Sequence, residues 1–314
     1  MKTSKLPEGL WPVMLTPFLE NNEIDYPGLQ KLTEFYIHSG AHGLFSNCLS
    51  SEMFQLTNEE RLKVISTVVA TAKSKAKVVA SGTFSKDMKV CADFIKQVYD
   101  TGVDAVIVLS NQVADIDEGD DVFKKKIDLL LKLTGNIPLG LYECPYPYKR
   151  LISTDLMEWV SQTGRFFYHK DTSCDLGSIQ NKLEIIKGTS FSLYNANTAT
   201  ALSSMVSGAA GISPIGANLY PELYSFLISE FKNKGNSKSL VRLNAQLDLM
   251  DAIVDQCYPL SAKLFLQKRG FSISEKCRIQ HGKMKSENYL KLEALMEIFV
   301  QTAEHYEVKI ERFN

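Results

Sequence analysis

The chain has 314 residues, 45% hydrophobic and 23% charged, with 35 basic against 36 acidic side chains and a formal net charge of −1. Such a chain can bury a large core, and its near-neutral balance excludes an electrostatic basis for binding nucleic acid. Six cysteines without a CxxC pair and five histidines without an HExxH spacing exclude a recognisable zinc or disulfide framework.

Free thiols, no metal and a reducing compartment are therefore expected. The opening MKTSKLPEGLWPVMLTPF lacks the apolar core of a signal peptide, and no apolar run approaches the ~18 residues of a membrane span. A cytoplasmic protein with no membrane association is the expectation.

Taken in chain order, short apolar runs alternate with longer stretches of helical period. Strands are predicted at LWPVML (10–15), GLFSN (43–47), KVVASG (77–82), DAVIVLS (104–110), PLGLYE (138–143), FFYHK (166–170), SFSLYN (190–195) and GISPI (211–215). Helical patterns such as YPGLQKLTEFYIHSG, NEERLKVISTVVATAKS and DVFKKKIDLLLKLTG lie between them. Asp25, Thr57 and Thr154 are predicted N-caps, and Gly40, Gly102 and Gly135 predicted terminators. A weak repeat, SGAHGLF (39–45), TGVDAVIV (101–108) and SGAAGIS (207–213), reads as a helix ending in glycine, a tight turn and a strand.

Eight such units in series predict an α/β fold, a (β/α)8 TIM barrel over residues 1–235. The strand signals then stop. Segments 239–256, 258–270 and 287–310 keep helical period, which predicts a C-terminal helical extension over 236–314, packed on the barrel or in a subunit contact.

In such a barrel the reactive groups lie at the C-terminal ends of the strands. The sixth strand carries Lys170 in RFFYHKDTS, and alternation puts Phe166, Tyr168 and Lys170 on one face. An inward amine in a water-poor mouth loses charge and can attack a ketone as a nucleophile; an outward one snorkels to solvent. Tyr142 ends the neighbouring fifth strand, with Gly140 leaving room beside it, and reads as a proton-shuttling phenol or as a core tyrosine. Ser50 and Ser51, in a strand-to-helix turn, read as carboxylate holders or as simple caps, and Glu52 as a tie within the loop.

Together these residues resemble the dihydrodipicolinate synthase / N-acetylneuraminate lyase family of Schiff-base barrel enzymes. VMLTPF (13–18) is similar to the family's first strand, and Cys48 to Glu52 to its G-[ST]-[TG]-G-E loop. YECP resembles its Y-N-[VI]-P motif and HKDTS its lysine motif. The separation of 28 residues from Tyr142 to Lys170 (170 − 142) is the family's spacing, and GAAGISPIGAN (208–218) resembles its eighth-strand segment.

The resemblance implies a metal-independent class I aldolase or lyase acting on a 2-oxo acid, pyruvate or a pyruvate-derived sugar acid. It needs no cofactor beyond a covalent imine on Lys170. Tyr142 would be the catalytic phenol, Ser50 and Ser51 would bind the carboxylate, and the Ser213 backbone would line the floor. Asn195, Asn197 and Thr198 stand where related lyases recognise a sugar-acid chain. A homodimer or homotetramer is implied too.

The chain departs from the synthase branch. Leu49 replaces a relay threonine, Gln112 or Val113 a tyrosine donated across subunits, and Pro147 a substrate-binding arginine, with Lys149 and Arg150 as possible substitutes. Ser51 stands where the signature loop has a glycine. A 2-oxo-3-deoxy sugar acid dehydratase using the same imine, or a non-catalytic carboxylate-binding paralogue, are the alternative readings.

Overall fold

The computed structural model describes residues 5–280 and 284–311. Among them, eight parallel strands form one sheet: β1 (Gly9–Leu10), β2 (Gly43–Ser46), β3 (Lys77–Ser81), β4 (Ala105–Leu109), β5 (Leu139–Tyr142), β6 (Phe166–Asp171), β7 (Ser192–Asn195) and β8 (Gly211–Ile212). Their order is β1-β8-β7-β6-β5-β4-β3-β2, and a parallel bridge between Val13 and Phe45 closes the ends into a barrel. Every strand was foreseen. The first is shorter than expected, because Pro12 cannot donate to the ladder and the chain rejoins β2 only at Val13. At Gly9 and Gly211 the backbones of β1 and β8 approach so closely that a Cβ on Gly211 would collide with the Gly9 carbonyl.

The helices begin where side chains satisfy their free N–H groups. The Asp25 carboxylate accepts from Gly28 N at 2.9 Å and opens the helix Tyr26–His38, and Thr57 and Glu60 cap each other's backbone at the start of Asn58–Ala72. In the fifth unit the cap is Ser153, whose hydroxyl accepts from Leu156 N at 3.2 Å; the expected Thr154 is the first helical residue. Gly40, Gly102 and Gly135 all take positive φ (90°, 95° and 55°), as their turns require.

Two apolar layers result. Trp11, Phe45, Ile107, Tyr142, Tyr168 and Tyr194 fill the barrel, with Tyr168 and Tyr194 stacked at 4.5 Å and Trp11 5.1 Å from each. The outer faces of the strands pack on the helices in a second core, which continues into helices Lys238–Val254, Leu260–Lys268 and Ser286–His305. No helix among the described residues is long and apolar enough to cross a membrane.

One expected facing is overturned. The β5–β6 register shifts between Leu139 and Gly140, which pair with Phe166 and Tyr168, leaving Phe167 as an extra residue. Phe166 therefore joins the outer core, 6.2 Å from Phe191, while Tyr168 stays inside. Gly140 makes this possible: a Cβ there would stand 2.8 Å from the Tyr168 carbonyl oxygen.

Candidate active site

The bulge ends before the strand tips, where Tyr142 pairs directly with Lys170. Lys170 is 4% exposed, with its Nζ 4.8 Å from the centre of the Tyr142 ring and 5.8 Å from that of Phe45. Among the described residues no carboxylate forms an ion pair with it. Burial lowers its pKa to about 8, against a smaller upward pull from Cys48 and Cys144. Burial pushes the Tyr142 phenol well above its usual range, so it stays protonated. A weakly basic amine beside a neutral phenol can add to a carbonyl and exchange protons with the adduct.

The loop after β2 approaches this pair. Leu49–Ser51 and Met53–Gln55 are short 3-10 turns joined at Glu52, which takes φ 57°. The left-handed residue is thus Glu52, so Ser51 in place of a glycine introduces no backbone strain. The Ser51 hydroxyl donates to Met14 O at 2.6 Å and accepts from Cys48 N at 3.0 Å. Its one proton is committed to the loop, which removes it from the expected carboxylate holders. Ser50 keeps that possibility. The Leu49 and Ser50 amides open the turn and have no acceptor within it. Glu52 ties the loop as expected, but to the far end of the chain: it accepts from Lys263 Nζ at 3.0 Å and from the Arg278 and Ile279 amides at 2.5 and 2.8 Å.

Asn195, Asn197 and Thr198 serve the scaffold. Tyr194 points into the barrel, so alternation turns Asn195 outward, where its amide donates to Thr200 Oγ1 at 2.9 Å and Ser204 Oγ at 3.1 Å. Thr198 donates to Asp251 Oδ2 at 2.6 Å. The Asn197 carboxamide oxygen accepts from Thr200 N at 3.1 Å, and only its NH2 stays outside these bonds. Ser213 follows β8 on the same face as Lys170, its amide on Asn195 O at 2.8 Å and its hydroxyl on Trp11 O at 2.7 Å. Lys149 donates to Thr172 O at 2.8 Å, and Arg150 pairs with Asp120 at 3.0 Å.

Two features were missed in the sequence. The Tyr258 phenol, from between two C-terminal helices, lies beside the Ser50 hydroxyl and accepts from Asn218 Nδ2 at 2.8 Å. The YP dipeptide breaking a helical pattern was the available signal. The second is Lys182, whose Nζ bridges Glu143 Oε1 at 2.5 Å and Asp171 Oδ2 at 2.6 Å behind Tyr142 and Lys170. Burial lowers its pKa, but the two carboxylates outweigh that and raise it. Glu143, His169 and Asp171 have ligand atoms within 4.8 Å of one another, as a metal would require. Lys182 already supplies the positive charge between the two carboxylates.

The comparisons with known proteins agree with this frame. A family model described as the dihydrodipicolinate synthetase family matches residues 6–299. A 4-hydroxy-tetrahydrodipicolinate synthase of Brachyspira hyodysenteriae is 23% identical over 283 residues, which span 90% of this chain and 94% of that protein. The crystal structure of a dihydrodipicolinate synthase from Bacillus anthracis superposes with a TM-score of 0.84 at 22% identity, over 92% of this chain and 97% of the other. The Escherichia coli K12 prophage protein YagE, solved in complex with pyruvate, superposes with a TM-score of 0.82 at 15% identity, over 96% and 99%. With its family model matched over nearly its whole length, the chain belongs to the dihydrodipicolinate synthetase family.

Proposed function

We propose that the protein is a class I aldolase or lyase that forms an imine between Lys170 and a 2-oxo acid, pyruvate or a compound containing it. The observation that carries this is the pairing of Tyr142 with Lys170 at adjacent strand tips, with the amine buried and 4.8 Å from the phenol ring. The YagE complex with pyruvate supports the choice of acid.

In this reading the Lys170 amine adds to C2 of the oxo acid, and the carbinolamine loses water with Tyr142 passing the protons. The free amides of Leu49 and Ser50 and the Ser50 hydroxyl hold the carboxylate. In cleavage, the C4 hydroxyl gives up its proton, the C3–C4 bond breaks and its electron pair moves into the imine, leaving an aldehyde and an enamine. The enamine takes a proton at C3, and water releases pyruvate. Condensation is the reverse. No cofactor is required, and assembly into a homodimer or homotetramer, measurable by light scattering, belongs to the same proposal.

The test is reduction with borohydride in the presence of pyruvate. The expected result is a stable adduct on the peptide containing Lys170, absent in Lys170→Met. A carboxylate affinity without any adduct, for pyruvate or other 2-oxo acids, would instead make this a binding paralogue.

A further inference from the structure

The rim of the barrel indicates which aldehyde reacts. Leu49, Phe54, Phe84 and Ile215 are partly exposed and pack on the inner apolar cluster that contains Tyr142 and Phe45. They come from the loops after β2, β3 and β8, so they stand at the end of the barrel where Lys170 sits. Phe54 is the centre of an aromatic row. Its ring lies 6.0 Å from Phe84, edge to face, and 5.6 Å from Tyr146, which is contributed by the loop after β5 and is 52% exposed.

The row is held in place. The Asn111 amide nitrogen lies 2.8 Å from the carbonyl oxygens of Cys144, Tyr146 and Tyr148, fixing the loop that carries Tyr146. The Arg61 guanidinium stacks 3.8 Å from the centre of the Phe84 ring.

Among the described residues, the basic side chains of these loops, and Arg61 in the helix Asn58–Ala72, all donate hydrogen bonds within the protein. Arg61 donates to Met53 O and Asn58, Lys86 to Asn111 O and Asp115, Lys149 to Thr172 O, and Arg150 pairs with Asp120. Of the three residues expected to meet hydroxyl groups, Asn195 and Thr198 are turned into the scaffold, and Asn197 commits its carboxamide oxygen to Thr200 and keeps only its NH2. Among the described residues the rim therefore offers ring faces and aliphatic surface, with neither a cation free of hydrogen bonds for a second carboxylate nor an array of amides for a polyol.

The geometry points to an aldehyde bearing an aromatic or bulky apolar group as the partner of the oxo acid at Lys170, with the group stacked on Phe54 and Phe84. This rests on the imine reading. The enamine C3 attacks the aldehyde carbon and forms the C–C bond. The carbonyl π pair moves to oxygen, which takes up one proton, and water frees the 4-hydroxy-2-oxo acid from Lys170.

The experiment compares condensation of pyruvate with benzaldehyde and with glyceraldehyde, after borohydride trapping with pyruvate alone. The expected kcat/KM favours benzaldehyde by about tenfold or more. Phe54→Leu and Phe84→Leu, which keep apolar bulk without the ring, each lower that ratio by about fivefold. A trapped adduct with glyceraldehyde preferred or equal overturns the aldehyde assignment and leaves the imine. Failure to trap any adduct overturns both. A ratio unmoved in the leucine variants, with a changed association state by light scattering, makes the row a subunit contact and also overturns it.

Discussion

Replacing Lys170 by methionine should make the protein more stable and inactive, and the gain should disappear as the pH rises. Methionine keeps the length of the side chain and removes only the amine, so packing changes little. The folded pKa of Lys170 lies at about 8 against an ordinary 10.5. A lysine with a depressed folded pKa binds fewer protons folded than unfolded between those values, so stability rises with pH across that window. Below pH 8 the desolvation penalty is fully present, about 3 kcal/mol at pH 7 from the 2.5-unit difference; by pH 10.5 it has fallen to about 0.4. Urea denaturation of wild type and Lys170→Met at both pH values reads the difference, in which groups common to the two proteins cancel. The same amine sets the rate of imine trapping. At pH 7 about one molecule in eleven has it neutral, so trapping should rise roughly ninefold from pH 6 to 7 and level off above pH 9. A variant no more stable than wild type, or a gap equal at pH 7 and 10.5, would refute the claim that the amine is held in a dry site.

Lys182→Met leaves Glu143 and Asp171 buried together without a cation; we expect a loss of about 3–5 kcal/mol, read by urea denaturation, and slower trapping at Lys170. Burial raises the Asp251 pKa to about 6 from 3.8 despite three hydroxyl donors. A raised carboxylate stabilises below its unfolded pKa and loses that contribution as pH rises through the folded one, so wild type should lose about 2.4 kcal/mol from this group between pH 4 and 7. Asp251→Asn should lack that part of the pH dependence in the same denaturation series. Gly211→Ala drives a methyl into the Gly9 carbonyl where β8 meets β1, and should cost about 3 kcal/mol, read as a lowered thermal midpoint.

The strands were legible because they are apolar runs, most of them released by a glycine turn (β3 follows Lys73 and Ser74 instead), and the adjacency of Tyr142 and Lys170 because they end neighbouring runs. The facing of Phe166 was hidden, since a bulge follows from room made by Gly140 in another strand, and alternation within one strand cannot register it. The outward turn of Asn195 was available from its neighbour Tyr194, an aromatic that has to face the barrel interior; assigning Asn195 by resemblance passed over that. Tyr258 and Lys263 reach the loop after β2 from more than two hundred residues away, through contacts that local periodicity does not encode. Lys182 looks like an ordinary helix lysine until the fold places two carboxylates around it.

The placement of those carboxylates explains why Tyr142 and Lys170 are held so closely. Glu143 directly follows Tyr142 and Asp171 directly follows Lys170, so alternation sends the acids outward wherever the phenol and amine face inward. Lys182 joins the acids at 2.5 and 2.6 Å, and the other Glu143 oxygen accepts from Thr172 N at 2.9 Å. A shear of β5 against β6 that separated Tyr142 from Lys170 would have to break this bridge inside a dry core, where each charge depends on the other. The charges sit behind the pair: Lys170 feels neither acid among the groups that shift its pKa, while Lys182 feels both. Neutralising the cluster with Glu143→Gln, Asp171→Asn and Lys182→Met together should therefore restore much of the stability lost in Lys182→Met and leave the pH midpoint of trapping near 8. A midpoint that moved with the cluster's charge would mean that the acids tune the amine as well as place it.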